Sequence, residues 1–349
     1  MLKNVLFFLL FLPFAVSAQY HISGRVVDSI TRKPVADASI FLSNASAGTK
    51  ANTDGTFNLQ NVRGGQYNLV ISIIGYATYQ QTVLVNKDLY LGDVAISLQS
   101  IQLQEVKIGP KRNWNRDYET FKSVFLGNTD NARECTITNP HVLDFDYADG
   151  QFTATAVGFL IIENKALGYN IKYLLSTFKN DKKTGIAYFA GTAFFEDMKG
   201  SDRQVKRWKK NRLQTYLGSD MHFLRAVIAD RVTEEGFKVE RLVRKPNPEY
   251  KSGGNNQFIQ TLITTPLTIN QYKRLTDIRD EYALQFSDKL DVIYGENSLS
   301  STVIDMQAKY VYFDNNGIIL NPQDVLIEGS WGDNRMGEML PVDYEPNVN

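Results

Sequence analysis

Cysteine and histidine are scarce in this sequence, with one cysteine and three histidines among 349 residues. A single cysteine excludes an internal disulfide, so packing alone must stabilise the fold. Cys135 lies in a strand-like or turn-like string and is interpreted as a buried, inert thiol, because a reactive one needs a lowered pKa and a nearby base. His21, His141 and His222 do not have metal-ligand spacing, so we expect structural or solvated histidines and no metal site.

The sequence also lacks a charge imbalance and any recognisable catalytic motif. Its 38 basic and 38 acidic residues cancel, so no global field steers the chain towards nucleic acid. There is no Gly-x-Ser-x-Gly elbow and no phosphate-cradling glycine loop. We therefore expect no cofactor, assign no catalytic residue, and favour a protein that is not an enzyme.

The first 18 residues have the order of a secretory signal. Lys3 supplies a positive charge, an apolar run covers Val5 to Val16, and small residues end it at Ala18. The run is about 12 residues long, whereas a membrane-spanning helix needs roughly 20. No later apolar run is long enough to span a membrane. We therefore predict an exported protein without a transmembrane segment once the signal at 1–18 is removed.

Residues 19–108 have the pattern of a β-sandwich. Apolar and polar residues alternate from Tyr20 to Asp28, which is the period of a strand. Turn signals then recur about every 10 residues, such as Asp54-Gly55, where aspartate can bond its own backbone and glycine can adopt positive φ. Seven or so short strands at this spacing predict a sandwich.

Five ordered motifs in this region resemble those of the carboxypeptidase regulatory-like domain. They are Gly24-Arg25-Val26-Val27-Asp28, Pro34-Val35-Ala36-Asp37-Ala38, Thr53-Asp54-Gly55-Thr56-Phe57, Gly65-Gln66-Tyr67 and Ile74-Gly75-Tyr76. The resemblance implies a seven-stranded, transthyretin-like β-sandwich that has no catalytic residues. It also implies an envelope protein of Gram-negative bacteria, because this domain recurs there and in front of TonB-dependent nutrient receptors.

Leu103 to Gly109 resembles the short energy-coupling strand that follows this domain in such receptors. A receptor would then need a plug and a 22-stranded barrel, and the remaining residues are too few for both. We therefore interpret this stretch as a last strand or linker. A coupling role stays open as the alternative.

Residues 109–349 predict an α+β domain with an antiparallel sheet, so the fold class as a whole is mainly β with α+β. An aromatic stripe from Trp114 to Phe125 predicts a helix that ends at Gly127. Two further helices are expected after Ser201 and over Met221 to Glu235. This part resembles only an uncharacterised domain that accompanies the regulatory-like module in other exported proteins, which implies no activity.

Several strands are expected around these helices. Phe152 to Ile162 and Thr302 to Phe313 each resemble one continuous strand. Tyr282 to Phe286 and Leu290 to Tyr294 are expected to pair with each other, whereas Lys245 to Asn256, with its prolines and glycines, predicts a loop.

The densest charge cluster lies on the helix that is expected after Ser201. Arg203, Lys206, Arg207 and Lys210 share one helical face. This face is interpreted either as a solvated surface or as a site for an anionic partner such as a lipid headgroup, a glycan phosphate or an acidic protein.

These observations favour an exported, non-catalytic binding protein of the cell envelope, located in the periplasm or at the surface. The partner would be an envelope protein or a glycan rather than nucleic acid. Two alternatives stay open: a hydrolase acting on glycan or peptide through carboxylates of the second domain, and an accessory of TonB-dependent uptake. The sequence leaves the oligomeric state undetermined.

Overall fold

The computed structural model describes residues 19–99, 113–148, 150–251, 257–295 and 301–346. The predicted signal at 1–18 and the coupling-like stretch Leu103 to Gly109 lie outside the described residues. Among the residues that are described, no helix combines the length and the apolar character needed to cross a membrane.

Alternating apolar residues build a sandwich of seven strands at the N-terminal end, as predicted. The strands are β1 (Gln19–Asp28), β2 (Ser39–Leu42), β3 (Gly48–Lys50), β4 (Thr56–Arg63), β5 (Gly65–Ser72), β6 (Tyr79–Val85) and β7 (Leu89–Ile96). One sheet has the order β4-β1-β7, with β1 and β7 parallel, and the other has the order β3-β2-β5-β6. Ile22, Ile40 and Leu69 are among the fully buried side chains between them.

The second region begins with the predicted aromatic helix. This helix, α1 (Trp114–Leu126), buries Phe121 and Phe125 and is followed at Gly127 by non-helical backbone. A short helix α2 (Asp130–Arg133) leads into a six-stranded sheet, in which β12 pairs with β10, β11 and β13. The strands are β8 (Cys135–Ile137), β9 (Leu143–Ala148), β10 (Gln151–Ala156), β11 (Phe159–Asn164), β12 (Tyr169–Asp181) and β13 (Ala187–Asp197).

One strand expectation in this sheet was wrong. Phe152 to Ile162 forms two strands, β10 and β11, rather than one. Val157 and Gly158 separate them, and Gly158 has a φ of 79° that reverses the chain.

Two helices, α3 (Asp202–Tyr216) and α4 (Asp220–Ile228), follow the first sheet. The expectation that the second helix extends to Glu235 was wrong, because α4 ends at Ile228. Asp230 has a φ of 56°, which a helix cannot continue, and the chain reaches Gly236 through turns.

The last part is again antiparallel sheet, in two pieces. A five-stranded sheet has the order β15-β14-β18-β19-β21, and a three-stranded one the order β16-β17-β20. The strands are β14 (Phe237–Pro246), β15 (Phe258–Ile263), β16 (Lys273–Leu275), β17 (Glu281–Leu284), β18 (Lys289–Tyr294), β19 (Ser301–Met306), β20 (Val311–Asp314) and β21 (Val325–Gly329). A short helix, α5 (Ser330–Asp333), and single 3-10 turns at Pro140–Val142, Ile269–Gln271, Pro322–Asp324 and Met336–Glu338 complete the described elements.

Three expectations for this part were wrong. Tyr282 to Phe286 and Leu290 to Tyr294 do not pair, because β17 and β18 belong to different sheets. Thr302 to Phe313 is divided into β19 and β20, which again enter different sheets. The expected loop from Lys245 begins later, since β14 continues to Pro246.

The turn after β2 joins the sandwich to the six-stranded sheet. The N–H of Asn44 donates to the oxygen of Ala193 at 2.7 Å, and Asn44 Oδ1 accepts from the N–H of Ala193 at 3.0 Å. Ala45 forms a parallel bridge with Phe194 of β13. Asn44 has a φ of 57°, which asparagine tolerates better than most residues. The turn therefore extends the edge of β13.

A strap of residues 340–346 crosses this junction. Val342 is buried in the sandwich core, and its N–H donates to the oxygen of Asn44 at 2.7 Å. The guanidinium group of Arg225 donates to the oxygens of Val342 and Tyr344 at 2.8 and 2.9 Å. Asp343 accepts from the hydroxyl of Ser46 at 2.7 Å. The strap thus ties α4 to the sandwich.

Candidate functional site

Helix α3 presents the predicted basic face and begins with a capping interaction. The N–H of Ser201 donates to Gln204 Oε1 at 2.9 Å, which satisfies a donor at the helix start. Trp208 is buried, and its indole N–H donates to the oxygen of Lys165 at 3.0 Å. Arg212 donates to the oxygens of Leu167 and Gly168, so one side of the helix is bound to the loop between β11 and β12.

The opposite side of α3 faces solvent and carries several of the predicted cations. Arg203, Lys206 and Lys210 are exposed, and none of them has an ion pair within the part of the chain that the structure describes. Lys209 is also exposed and flanks this face, although the face predicted from helical spacing did not include it. We call Arg203, Lys206, Lys209 and Lys210 the basic face.

The fourth predicted residue, Arg207, has a different environment. Its guanidinium group lies 3.2 Å from a carboxylate oxygen of Glu134 and 2.8 Å from the oxygen of Lys165. Arg207 is therefore partly neutralised and helps to attach α3 to the rest of the molecule. Glu134 is distant in sequence, and helical spacing alone could not indicate this contact.

The three histidines lie in separate places. His21 is exposed on β1, and the ring of His141 stacks on Trp114 with ring centroids 5.2 Å apart. His222 is buried in α4, where Nδ1 accepts from the N–H of Gly218 at 3.1 Å and Nε2 lies 3.3 Å from Glu235. Burial lowers the pKa of His222. No set of three potential metal-ligating side chains comes together among the described residues.

Cys135 is buried, as predicted. Burial, followed by the nearby carboxylates of Glu338 and Glu134, raises the pKa of the thiol to about 12. At neutral pH the group is therefore protonated and unreactive.

Two cavities of the described structure lie beside the junctions of the sandwich. One of about 240 Å³ lies between the sandwich and the last sheets and contains Tyr20, Gly65, Asn86, Arg279, Asp280 and Asn315. The other, of about 110 Å³, lies beside the β13 junction and contains Phe41, Lys50, Lys172, Phe194 and Glu196. Each cavity contains one carboxylate, whereas glycoside hydrolysis generally uses a pair.

A pair of carboxylates does occur elsewhere, but it is buried. Glu240 of β14 lies opposite Asp291 of β18 and is 1% exposed. Lys238 Nζ lies 2.9 Å from Glu240 Oε1 and supplies a counter-charge, and the hydroxyl of Ser301 donates to Asp291. Neither carboxylate contributes to either cavity. The pair is therefore not positioned to meet a substrate, and sequence spacing did not reveal it.

Comparisons with known proteins find solved structures of low sequence identity. No curated protein matches the chain. Among solved structures, a type II cohesin–X-dockerin complex from Acetivibrio cellulolyticus is 20% identical, over 23% of this chain and 58% of that one, with a TM-score of 0.21. The group B streptococcus pilus 2b backbone protein is 18% identical, over 23% of this chain and 42% of that one, with a TM-score of 0.20. The chain thus spans less than two thirds of either.

A longer alignment joins the chain to a putative membrane-associated protein of unknown function from Bacteroides fragilis, at 11% identity. It covers 84% of this chain and 92% of that one, with a TM-score of 0.19. The family model of the CarboxypepD_reg-like domain matches residues 22–108, which include all five motifs singled out in the sequence. The chain therefore carries a CarboxypepD_reg-like domain at its N-terminal end.

Proposed function

We propose that this protein is an exported, non-catalytic binding protein of the cell envelope, and that the basic face of α3 binds an anionic partner. The carrying observation is that Arg203, Lys206, Lys209 and Lys210 are exposed and have no ion pair among the described residues. Four neighbouring cations without counter-charges attract anions more strongly than isolated surface charges do.

The attachment of α3 supports this proposal, because a fixed helix displays its charges in a constant arrangement. Trp208 and Arg212 hold one side of the helix to the residue 165–168 loop. Asn211 adds a further bond, from its amide to the oxygen of Ala166 at 2.8 Å. Side chains on a rigid element lose less freedom on binding than those on a loop.

The recognised chemistry would be a phosphate or carboxylate of the envelope, carried by a lipid headgroup or by a glycan. Lysine and arginine both bind phosphate oxygens, and several together favour a surface with repeated anions. The CarboxypepD_reg-like domain, which supplies no catalytic residues in the family, would act as a docking or spacer module.

The test uses vesicles with and without an anionic phospholipid, and soluble polyphosphate as a competitor. We expect the purified protein to sediment with anionic vesicles and to be released as salt is raised, because the screening length falls from about 10 Å at 0.1 M to about 3 Å at 1 M. Polyphosphate that binds while vesicles do not would indicate a glycan phosphate rather than a lipid.

The decisive variant reverses Arg203, Lys206 and Lys210 to glutamate and leaves Arg207 intact, since Arg207 contacts Glu134. A matched control reverses three exposed lysines at the β12–β13 turn, Lys179, Lys182 and Lys183. We expect the first variant to lose binding to both probes and the control to retain it. Equal binding by the two variants would refute the role of the basic face.

The two alternatives gain no specific observation from the described residues. A hydrolase would need two accessible carboxylates, and neither cavity offers them. A role in TonB-dependent uptake depends on Leu103 to Gly109, which lies outside the described residues and stays a prediction. Deletion of that stretch, with nutrient uptake as the readout, would test it.

A further inference from the structure

Strand β15 forms an uncovered edge of the five-stranded sheet. It pairs with β14 on one side, and no described strand pairs with its other side. All six of its residues are exposed, and the four apolar ones are exposed to between 37% and 51%: Phe258, Ile259, Leu262 and Ile263. An unpaired apolar edge offers free backbone N–H and C=O groups together with apolar surface.

Within its described residues, β15 lacks three of the features that normally prevent strands from associating. Phe258 to Ile263 contains no charge and no proline, and its register with β14 is uninterrupted by a bulge. Two other edges of the molecule differ. The Asn44 turn covers the part of the β13 edge at Ala193 and Phe195, and β6 exposes the polar residues Gln80, Gln81 and Thr82.

We propose that β15 pairs with β15 of a second copy of this chain, in an antiparallel arrangement centred on Gln260. A two-fold axis perpendicular to the sheet keeps each face on its own side, so Gln260 would lie opposite Gln260 of the second copy. Phe258 would then lie opposite Leu262 of the second copy, and apolar cross-strand pairs stabilise sheets.

Two observations favour a second copy as the occupant. The strand carries no charge that would repel its own copy, and the whole chain has a formal net charge of zero, so copies do not repel at long range. The register centred on Gln260 also places Phe258 opposite Leu262 of the second copy twice, once on each side of the axis. Pairing occupies the β15 edge of each copy, so this contact closes as a dimer and does not grow into a fibre.

The dimer is expected to be concentration-dependent, because a single strand pair is small beside the roughly 1,200–2,000 Å² of a stable interface. Sedimentation velocity of the purified protein over a concentration series measures it. We expect a monomer–dimer equilibrium in the wild-type protein. A protein that stays monomeric up to about 1 mM, the weak limit of measurable association, would overturn the proposal.

A charge exchange at Gln260 identifies the occupant and the register. Gln260→Lys and Gln260→Glu each place like charges opposite one another in the dimer. Each variant alone should therefore dimerise at least about tenfold more weakly than the wild-type protein. An equimolar mixture should recover a dimer, because lysine then faces glutamate. Recovery in the mixture also shows that both variants are folded.

The matched control is Gln80→Lys, the same substitution on the exposed edge strand β6. It should dimerise as the wild-type protein does. A Gln260→Lys variant that dimerises as strongly as wild type, or a mixture that fails to recover the dimer, would contradict pairing through β15. Association with a different protein instead of self-association would overturn the assignment of the second copy.

Discussion

At the scale of single residues, His222 is a buried polar group with a neighbour at each ring nitrogen. Its ring packs against Tyr216 and Phe237, with centroids 4.8 Å away in both cases. Nδ1 accepts the N–H of Gly218, which leaves Nε2 to face Glu235. Burial is the main cause of its lowered pKa. The neighbouring Glu235 opposes this effect and Arg225 reinforces it.

This environment predicts how stability depends on pH. The unfolded chain has an ordinary histidine pKa of about 6.5 and takes up a proton more readily than the folded one. The contribution of His222 to the free energy of unfolding is therefore fully present above that pH. This free energy falls as the pH drops through 6.5 towards the pKa of the folded state. We expect His222→Gln to flatten the pH dependence of the unfolding free energy between about pH 7 and pH 5.

Denaturant unfolding at several pH values measures this slope. His21→Gln is the control, because His21 is exposed on β1. The control should keep the wild-type slope, and identical slopes for both variants would contradict the assignment.

At the scale of elements, the packing of α3 depends on a glycine in the loop beneath it. Gly168 has a φ of 71°, and an added Cβ would lie 2.2 Å from Trp208 Cδ2. The backbone conformation and the close approach of the indole therefore both require glycine here. Gly158 has a similar φ of 79°, but an added Cβ there would meet nothing within 4 Å.

The two glycines form a matched pair for mutation. Gly158→Ala should cost about 1–2 kcal/mol of unfolding free energy, from the left-handed backbone alone. Gly168→Ala should cost a further ~1–3 kcal/mol, because Trp208 must move. Denaturant titration measures both losses. Equal losses would mean that the contact with Trp208 does not limit the position of α3.

Sequence reasoning succeeded for elements that short-range signals control. The Ser201 cap predicted the start of α3, and Gly127 predicted the end of α1. It failed where the deciding partner is distant. Thr302 to Phe313 resembles one long alternating strand, yet its two halves belong to different sheets. Strand β15 was not predicted at all, because its pattern carries no alternation between a buried and an exposed face.

The candidate site shows the same division. Arg203, Lys206 and Lys210, which helical spacing assigned to one face, are exposed on α3. Helical spacing could not show that Arg207 is engaged by Glu134, 73 residues away. Spacing indicates which side chains share a face of one helix, whereas the partners of that face depend on the packing of other elements.

At the scale of the whole molecule, Asn44 connects the sandwich with the rest of the chain. Its backbone and side chain form hydrogen bonds with Ala193, and its backbone oxygen accepts from the N–H of Val342. We expect Asn44→Ala to separate the calorimetric unfolding of the sandwich from that of the α+β region, because it removes the side-chain acceptor and strains the left-handed backbone.

Asn44→Asp is the conservative comparison, since it keeps an acceptor oxygen and tolerates the same backbone conformation. We expect this variant to unfold in one transition, as the wild-type protein should. If Asn44→Ala also unfolds in one transition at the wild-type temperature, then other contacts hold the two regions together.

The strap has a consequence for the order of folding. Ser46 of the sandwich and Asp343 of the strap are 297 residues apart in the chain, yet they are hydrogen-bonded. Contacts between such distant residues form late, because a long loop must close first. During synthesis the sandwich core lacks Val342 until the strap has been made. The sandwich precedes the strap in the chain, yet its core is completed only after the strap has been made.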